Sequence, residues 1–516
     1  MGAASSGVTV SSAIVELFSR YRGREAFVAG DRRLTYAQSA EVVGRLMAGY
    51  AARGVGPGSG VVMLSPNRPE SWLAAAAAYL LGASFTGLQV LGTSEDHVFM
   101  CDDVGAPVLV VDESFADRAE AIRAEAATIK HVIVLRADGS SDELAEFAPL
   151  PLSAGPACEE DVAWLQYTGG TTGRAKGVML PHRALVAQAL SYLASCGIPE
   201  HPRYLAVSPI THAAVLPLLP TLWRGGTVVT LPSFDPERWL RTVEAERITC
   251  ALTVPTILTA ILDQASPEDF DLSSLETVIY GASPISPTRL LEAMERIGPV
   301  FQQIYGQMET IGTATTLRRD EHSPADPDRL SSCGRAVLGA TVAVVDDDGN
   351  ELPAGQIGEI AVRGRATMLG YRNMAEETAA VMDGGWIKSG DMAHRDDEGF
   401  FYIVDRKKDM IITGGFNVYA REVEDVVATH PAVANVAVIG IPDHKWGEAV
   451  HAVVVLRAGA SVDRVELAAF VKERKGPVHA PKSVDFVEAL PVTTVGKVDK
   501  QALRAPYWSA ESRQVH

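Results

Sequence analysis

Cysteine is scarce in this chain of 516 residues, which contains only five. They are Cys101, Cys158, Cys196, Cys250 and Cys333, and no two of them form a Cys-x-x-Cys pair. An odd number of widely separated cysteines argues against a disulfide framework and against a zinc knuckle.

Positive charge is also in short supply. Lys and Arg total 46 against 64 Asp and Glu, so the formal net charge is −18 and the isoelectric point is about 5.2. A chain with this charge repels phosphate backbones and anionic membrane surfaces. Nucleic acid is therefore not expected as its main partner.

Long hydrophobic runs are missing as well. Residues 1–8 contain neither a basic nor an apolar segment, so no secretory signal is predicted. The stretch from Trp72 to Leu91 comes nearest to a membrane span, but it is rich in Ala and contains Ser84, Thr86 and Gln89. We expect a buried helix that runs into a strand there, and hence a cytoplasmic protein without integral membrane association.

Apolar residues are plentiful, since 47% of the chain is hydrophobic and 21% is charged, as in a globular protein with a large core. Between residues 60 and 310, β-rich runs such as Val61–Leu64 and Val108–Val111 alternate with helix-like segments such as Pro236–Glu246 and Pro287–Ile297. This alternation predicts a large α/β region with parallel or mixed sheets.

The pattern changes after residue 335. Thr341–Asp346 and Ile357–Arg363 are typical of strands in a hairpin-rich segment. The C-terminal part contains strand-like runs at 433–441, 449–456 and 484–487 and a helix that begins at Ser461, which suffice for a small α+β domain. We therefore predict an N-terminal α/β domain over 1–404, a hinge at 405–409 and a small mobile α+β domain over 410–516.

The segment Tyr167–Gly177 carries the clearest chemical signal. Its loop residues are Thr168, Gly169, Gly170, Thr171, Thr172 and Gly173, followed by Lys176. Glycines let the backbone approach an oligophosphate closely, successive N–H groups form an anion-binding nest, and the lysine adds a positive charge for the β/γ-phosphates. The segment is not a Walker A motif, because Ala175 precedes Lys176 and Gly177 follows it.

This segment resembles the phosphate loop of the adenylate-forming superfamily, which includes acyl- and aryl-CoA synthetases, the adenylation domains of peptide synthetases and beetle luciferases. Four further segments resemble motifs of that family and follow in the family's order. They are Tyr305-Gly306-Gln307-Met308-Glu309-Thr310, Ser389-Gly390-Asp391, Asp405-Arg406-Lys407-Lys408-Asp409 and Gly496-Lys497. Five ordered motifs form a far stronger signal than any one of them.

The resemblance implies that the chain activates a carboxylic acid in two steps. The carboxylate attacks the α-phosphate of ATP to give an acyl-adenylate and pyrophosphate, and CoA then takes the acyl group and releases AMP. Holding an incoming carboxylate beside the anionic triphosphate calls for Mg²⁺ and cationic side chains. ATP, Mg²⁺ and CoA, the last as a co-substrate, are therefore the implied cofactors.

The resemblance also assigns a nucleotide site. Glu309 would bind Mg²⁺, and Lys176 would hold the β/γ-phosphates together with the glycine-rich loop. Tyr305 would stack on the adenine, and Asp391 would accept hydrogen bonds from both ribose hydroxyls with Arg406 nearby. The other assigned residues are Gly281, Ala282 and Ser283, in a turn beside the adenine, and Gly306, Gln307 and Met308.

Three assignments belong to the C-terminal part of the chain. Lys497 resembles the mobile lysine that reaches the substrate carboxylate and the α-phosphate, and it is the predicted adenylation catalyst. Lys408 resembles the pivot of the family's hinge, which would give the small domain two arrangements for two chemistries. In the second arrangement Gly414 and Gly415 would approach the pantetheine arm of CoA.

The segment Ser208–Val215 resembles the motif that lines the carboxylate channel. The residues assigned to the acid pocket are His212, Ala213, Ala214, Gly281 and Met308. His212 would gate or orient the acid, whereas Ala213 and Ala214 leave room for a bulky or long apolar acid. Met308 departs from the family pattern, which usually has threonine there, and its adaptable side chain could instead form an apolar wall of the pocket.

Two alternatives stay open beside the acid–CoA ligase. One is an adenylation enzyme that loads a separate carrier protein, and the other is a non-catalytic ATP-binding relative. An amino acid is not favoured as substrate, because no aspartate occurs between Ser208 and Pro217, where peptide-synthetase domains usually have one. The implied partners are a small carboxylic acid, ATP and CoA, and a homodimer is left open.

Overall fold

The computed structural model describes residues 7–168, 175–492 and 498–508. The α-helices in these ranges are α1 Val10–Arg20, α2 Tyr36–Ala51, α3 Pro69–Leu80, α4 Ser94–Val104, α5 Ala116–Glu125, α6 His182–Ser195, α7 Leu218–Trp223, α8 Pro236–Ala245, α9 Pro255–Gln264, α10 Pro287–Ile297, α11 Ala375–Val381, α12 Ala420–Ala428, α13 Arg464–Lys475 and α14 Lys500–Trp508.

The strands up to residue 336 are β1 Glu25–Ala29, β2 Arg32–Thr35, β3 Gly60–Leu64, β4 Ser84–Leu88, β5 Val108–Asp112, β6 His131–Leu135, β7 Val162–Thr168, β8 Lys176–Pro181, β9 Arg203–Ala206, β10 Thr227–Thr230, β11 Cys250–Thr253, β12 Thr277–Gly281, β13 Phe301–Tyr305, β14 Thr315–Leu317 and β15 Arg335–Ala336. Those that follow are β16 Ala340–Val345, β17 Gly358–Gly364, β18 Gly370–Tyr371, β19 Met382–Asp383, β20 Trp386–Arg395, β21 Phe401–Arg406, β22 Ile411–Thr413, β23 Phe416–Val418, β24 Val433–Asp443, β25 Gly447–Leu456 and β26 Ser483–Phe486.

The chain divides into two compact units, Met1–Val342 with Val362–Ile387 and Ala343–Ala361 with Lys388–His516. The first unit contains a sheet of nine described strands in the order β15-β14-β13-β12-β11-β9-β10-β1-β2. A second sheet has seven described strands in the order β18-β8-β7-β4-β3-β5-β6. The strands β10, β9, β11, β12 and β13 run parallel to one another, as do β7, β4, β3, β5 and β6. The predicted α/β region is confirmed.

The apolar stretch from Trp72 to Leu91 folds as a helix followed by a strand. Every residue of α3 is buried, and β4 begins at Ser84 after a short turn. The same core cluster holds α3 together with Phe27 of the nine-stranded sheet and Val61 of the seven-stranded sheet. The stretch is therefore an internal helix that runs into a strand, as predicted, and no helix of the described ranges is long and apolar enough to cross a membrane.

Proline opens several helices of the first unit, as the sequence predicts. In α8 and α10 it stands at the first helical position, where its missing N–H costs no hydrogen bond. The side chains of Asp235 and Ser286 precede them and accept hydrogen bonds from the backbone N–H groups of Arg238 and Arg289. Local sequence therefore determines where these helices begin.

The second unit contains the predicted small α+β fold. Strands β23, β22, β25 and β24 are neighbours in that order, and β26 pairs with β25 in parallel. The predicted helix begins at Arg464 rather than at Ser461, because the carboxylate of Asp463 accepts a hydrogen bond from the backbone N–H of Glu466 at 2.7 Å and caps it. The other sheet runs β16-β17-β20-β19, with β21 paired to β20. The predicted boundary at 405–409 and the mobility of the small domain stay predictions.

A buried ion network stabilises the turn between β3 and α3. The carboxylate of Glu70, whose side chain is 0% exposed, accepts hydrogen bonds from Arg68 at 2.9 Å and Arg32 at 2.5 Å. Arg68 also donates to Asp112 at 2.5 Å. Burial alone would raise the pKa of Glu70, but the hydrogen bond from Arg32 and the charge of Arg68 outweigh it, and the pKa is lowered. Glu70 is therefore ionised and paired in the interior.

We predict that Glu70→Gln lowers the free energy of unfolding by about 3 kcal/mol, because removal of one partner leaves buried arginine charge uncompensated. The measurement is urea unfolding followed by tryptophan fluorescence. The matched control is Glu237→Gln, which breaks an exposed pair with Arg241 one helical turn away and should cost less than about 0.5 kcal/mol. Equal effects of the two variants would contradict the proposed contribution of the buried network.

Candidate active site

The carboxyl ends of neighbouring parallel strands bring several predicted site residues to one edge of the nine-stranded sheet. Gly281 ends β12 and Tyr305 ends β13, while the segment with His212 follows β9, which lies two strands from β12. In open α/β sheets, ligands bind outside the carboxyl ends of the strands. This edge is therefore the candidate active site.

Two turns at this edge have unusual backbone conformations. Ala282, directly after β12, has φ 66°, and Ile311, after the short 3₁₀ turn Met308–Thr310, has φ 45°. Residues with a side chain rarely adopt positive φ, and such conformations cluster at functional sites. The first turn continues into Ser283, and the second carries Glu309.

Gly306 and Gln307 connect β13 to that 3₁₀ turn, which begins at Met308. The backbone N–H of Gln307 donates to the hydroxyl of Thr310 at 3.2 Å, and the N–H of Thr310 donates to the carbonyl of Gln307 at 3.0 Å. Met308 is partly buried and packs against the core of the first unit. These bonds hold Glu309 in a defined turn.

The two arms of the predicted phosphate loop are antiparallel strands. Thr168 ends β7, Lys176 begins β8, and the two residues are direct partners in the register. The predicted loop residues Gly169, Gly170, Thr171, Thr172 and Gly173 lie outside the described residues.

Tyr371 contacts both charged residues predicted to handle metal and phosphate. Its hydroxyl donates a hydrogen bond to Oε1 of Glu309 at 2.7 Å, and Nζ of Lys176 lies 5.0 Å from the centre of its ring. Burial first, and then the charge of Glu309, raise the pKa of Tyr371, so the hydroxyl keeps its proton and donates. Lys176 and Glu309 thus meet at a residue that the motif comparison did not single out.

A single carboxylate of this kind fits a magnesium ion that arrives with a nucleotide. Mg²⁺ commonly binds one or two carboxylates together with substrate phosphates and retains several waters. Among residues 7–168, 175–492 and 498–508, no group of three or more His, Cys, Asp or Glu side chains could hold a metal ion. A carboxylate oxygen such as that of Glu309 is the type of ligand that Mg²⁺ bound to phosphate uses. Lys176 contacts the same tyrosine as Glu309.

His212 joins the edges of the two sheets of the first unit. Its Nε2 lies 2.9 Å from Nε2 of Gln89, which follows β4, and 3.2 Å from Nε2 of Gln166 in β7. Nε1 of Trp164 donates to Oε1 of Gln166 at 3.0 Å, which orients this amide with its NH₂ group toward His212. His212 Nε2 is therefore an acceptor, and burial lowers the pKa of His212 to about 4. The ring is neutral.

Asn67 holds the loop that leads to His212. Its amide donates to the carbonyls of Ser208 at 2.8 Å and Val207 at 3.2 Å, and its Oδ1 accepts from the backbone N–H of Ile210 at 2.8 Å. Of the two alanines beside His212, Ala213 is half-buried, whereas Ala214 is fully buried and its carbonyl accepts from the hydroxyl of Tyr204 at 2.9 Å.

The predicted ribose residues are neighbours in the second unit. Asp391 and Arg406 face each other across β20 and β21, and Nε of Arg406 lies 3.6 Å from Oδ1 of Asp391. Asp391 is buried, whereas Arg406 is exposed. The backbone N–H of Gly390 donates to Glu359 at 2.8 Å, and Glu359 is paired with Lys407 at 3.3 Å. The Ser389-Gly390-Asp391 segment lies within β20 and is held there by the carboxylate of Glu359.

The charged stretch at 405–409 is not a solvated linker, since Asp405 and Asp409 are buried within the second unit. Asp409 pairs with Arg504 of α14 at 2.8 Å, and burial raises the pKa of Asp405 to about 6. Burial also lowers the pKa of Lys408. The role of Lys408 as a pivot stays a prediction.

The remaining assignments also fall in the second unit. Gly414 and Gly415 connect β22 to β23 with φ 60° and 81°, and the N–H of Gly414 donates to the carbonyl of Trp446 at 2.7 Å. A Cβ on Gly414 would lie 2.7 Å from the Trp446 ring. Lys497 lies outside the described residues, between Val492 and Val498, which pair as an antiparallel bridge.

The motif comparison missed Asn67, Gln89, Gln166 and Tyr371. The first two follow strands that were predicted or implied by the apolar pattern, and strand ends at the carboxyl edge are where ligand-binding residues collect. That signal could have singled them out. Tyr371 is indicated only by its contacts.

The chain matches the AMP-binding enzyme family over residues 16–372 and the AMP-binding enzyme C-terminal domain over residues 422–497. It is 42% identical over 520 residues to the medium/long-chain-fatty-acid–CoA ligase FadD8 of Mycobacterium tuberculosis, which covers 97% of this chain and 90% of that protein. It is 38% identical to a feruloyl-CoA synthase of Amycolatopsis sp, covering 92% of this chain and 94% of that protein.

Among solved structures, the amide bond synthetase McbA from Marinactinospora thermotolerans is similar with a TM-score of 0.88 and 32% identity, over 96% of this chain and 99% of that chain. The fold, the order of the motifs and the extent of these matches agree. The chain therefore belongs to the AMP-binding enzymes of the adenylate-forming superfamily, in the branch of the acid–CoA ligases.

Proposed function

We propose that the protein activates a bulky or long apolar carboxylic acid with Mg²⁺ and ATP and transfers the acyl group to CoA. The observation that carries the proposal is the convergence of Lys176 and Glu309 on Tyr371, beside the edge where the adenine turn and His212 lie. The residues proposed to bind the metal and the β/γ-phosphates therefore come from distant segments of the first unit.

In the first step, a carboxylate oxygen bonds to the α-phosphorus of ATP, and the bond to the bridging oxygen of pyrophosphate breaks. Lys176 attracts the β/γ-phosphates, and Glu309 would hold the Mg²⁺ that neutralises phosphate charge. Lys497 would lie beside the carboxylate and the α-phosphate and stabilise the charge that develops there. Tyr305 would stack on the adenine, and Asp391 would accept hydrogen bonds from both ribose hydroxyls.

In the second step, the CoA thiolate attacks the acyl carbonyl, and AMP leaves with the electrons of the broken acyl–phosphate bond. Two chemistries in one small site call for a change of arrangement, and Lys408 is the proposed pivot. Gly414 and Gly415 would border the pantetheine arm. A Cβ on Gly415 would meet nothing within 4 Å, so this glycine leaves its face open.

The acid pocket is proposed to be neutral and apolar. His212 accepts two amide hydrogen bonds at Nε2 and supplies no positive charge. Its flat, neutral ring would form one wall of the pocket and orient the acid. Met308 adds an adaptable apolar side chain. The two CoA-forming relatives are named as a medium/long-chain-fatty-acid–CoA ligase and a feruloyl-CoA synthase, which supports a bulky or long acid.

The setting is proposed to be the cytoplasm. The five cysteines all lie in the described ranges and form no disulfide there, and four of them are buried. Cysteines outside disulfides are typical of proteins in a reducing compartment.

Acid-dependent ATP–pyrophosphate exchange tests the proposal. We expect exchange with medium- or long-chain, aryl or polycyclic acids, because the proposed pocket is apolar, and none with acetate or amino acids. The products formed with CoA, with a carrier protein or with an amine as acceptor are then purified and compared to identify the acyl acceptor. We expect the CoA thioester. Exchange with short acids alone would overturn the pocket, and no exchange with any acid would favour a non-catalytic relative.

We predict that Lys497→Ala slows adenylate formation by about 100-fold or more, as expected for loss of a group that stabilises transition-state charge. Thioester formation from supplied acyl-adenylate and CoA should be largely spared, because that step does not need this lysine. Rapid-quench assays of each half-reaction measure the difference. The control is Lys472→Ala, at an exposed lysine of α13. Equal loss in both half-reactions would rule out the assigned role.

We predict that His212 remains neutral down to pH values near its pKa of about 4, because burial disfavours the charged ring. The two amide donors at Nε2 hold the neutral ring in place. NMR titration of the ring measures this, with the resonance identified by its loss in His212→Gln. Gln166→Glu should raise the pKa of His212, since a carboxylate beside Nε2 favours the protonated ring. Gln38→Glu, at an exposed position of α2, is the control and should not. An unchanged pKa in Gln166→Glu would contradict the hydrogen-bonding scheme.

A further inference from the structure

One short segment, residues 368–372, forms backbone hydrogen bonds both with the turn that carries Glu309 and with the strand that carries Lys176. The N–H of Met368 donates to the carbonyl of Glu309 at 2.9 Å, and the N–H of Leu369 donates to the carbonyl of Met179 in β8 at 2.9 Å. The N–H of Arg372 donates to the carbonyl of Gly177, next to Lys176, at 2.8 Å. This segment therefore sets the separation between the strand with Lys176 and the turn with Glu309.

The conformation of Tyr371 in this segment is determined from both sides. Gly370 has φ 144°, and a Cβ there would lie 2.7 Å from Cγ2 of Thr378. The N–H of Tyr371 donates to the hydroxyl of Thr378 at 2.9 Å. Tyr371 itself is 7% exposed. Its ring is consequently held at one position.

The same segment is tied to the strand that precedes the phosphate loop. Asn373, directly after the segment, donates to Oδ1 of Asp103 at 2.9 Å, and the hydroxyl of Tyr167, next to Thr168, donates to Oδ2 of the same carboxylate at 2.6 Å. Asp103 thus links the segment of Tyr371 to the end of β7. Both arms of the phosphate loop are anchored to it.

We propose that Tyr371 is a positioning residue that orients the Glu309 carboxylate and the Lys176 ammonium before Mg²⁺ and ATP bind. The inference rests on the proposed function. The hydroxyl fixes one oxygen of Glu309 through a hydrogen bond of 2.7 Å, and the face of the ring attracts the lysine ammonium, 5.0 Å from its centre. A long flexible lysine and a carboxylate that rotates freely would otherwise lose side-chain entropy when the nucleotide binds.

Two variants separate the two contacts. Tyr371→Phe keeps the ring and removes the hydroxyl, and it should raise the Mg²⁺ concentration for half-maximal ATP binding by about tenfold, as expected for loss of a hydrogen bond to a charged group. Its affinity for ATP in EDTA should not change. Tyr371→Leu removes the ring as well and should also weaken metal-free ATP binding by about threefold, through loss of the cation–π contact.

Isothermal titration calorimetry with ATP, in the absence of acid, measures both quantities without turnover. Tyr402→Phe is the matched control, because it removes another hydroxyl–carboxylate bond, to Asp396 at 3.2 Å, and should leave both affinities unchanged. Circular dichroism and thermal unfolding verify the fold of each variant. If Tyr371→Leu does not fold, Tyr371→Phe alone decides the role of the hydroxyl.

The variant Glu309→Gln distinguishes this proposal from the proposed function. We expect Glu309→Gln to lose the Mg²⁺ dependence, and Tyr371→Phe to add little to it in the double variant, since both act through one carboxylate. Wild-type Mg²⁺ dependence in Tyr371→Phe, or full additivity, would overturn the positioning role while the function stands. Wild-type Mg²⁺ dependence in Glu309→Gln would overturn the metal role of Glu309 and this proposal with it.

Discussion

Repulsion between a carboxylate and a triphosphate is the constraint around which an adenylating site has to be built. Positive charge is needed beside the phosphates, yet it loses its effect if it is neutralised by the carboxylate that binds the metal. In this chain Lys176 and Glu309 are both held by Tyr371, one at the ring face and one at the hydroxyl. One tyrosine side chain therefore contacts both opposite charges, the lysine through its ring face and the carboxylate through its hydroxyl.

In the proposed acid pocket, the groups around His212 are neutral instead. Amide donors from Gln89 and Gln166 occupy Nε2 of His212, and desolvation keeps the ring uncharged. A neutral wall suits an acid whose body is apolar, because burying an unpaired charge beside it would be costly. In the proposed mechanism, Mg²⁺ and Lys497 neutralise the charge of the carboxylate from the phosphate side.

The turn between β3 and α3 serves the site and the stability of the unit at once. Asn67 holds the loop that leads to His212, and within the next three residues Arg68 and Glu70 enter a buried ion network. The carboxyl ends of parallel strands concentrate such turns at one edge of each sheet. Asn67, Arg68 and Glu70 are therefore fixed by buried interactions.

The sequence by itself determined the features that depend on short-range order. Helices α8 and α10 begin at a proline behind a capping side chain, and the apolar stretch from Trp72 forms an internal helix and a strand. The order of the five motifs likewise identified the family, because each motif is contiguous. Where a local signal was weak, at Ser461, a neighbouring aspartate supplied the stronger cap.

Only the tertiary structure decided which distant side chains meet. Gln89 lies 123 residues before His212, and Tyr371 lies 62 residues after Glu309, so no local pattern connects them. The pairing of β18 with β8 brings Tyr371 next to the strand of Lys176. The packing of two different sheets in one unit brings Gln89 and Gln166 to the loop after β9. A hydrogen bond forms only when the donor–acceptor distance is correct to within a few tenths of an ångström, and only the packed chain sets that distance.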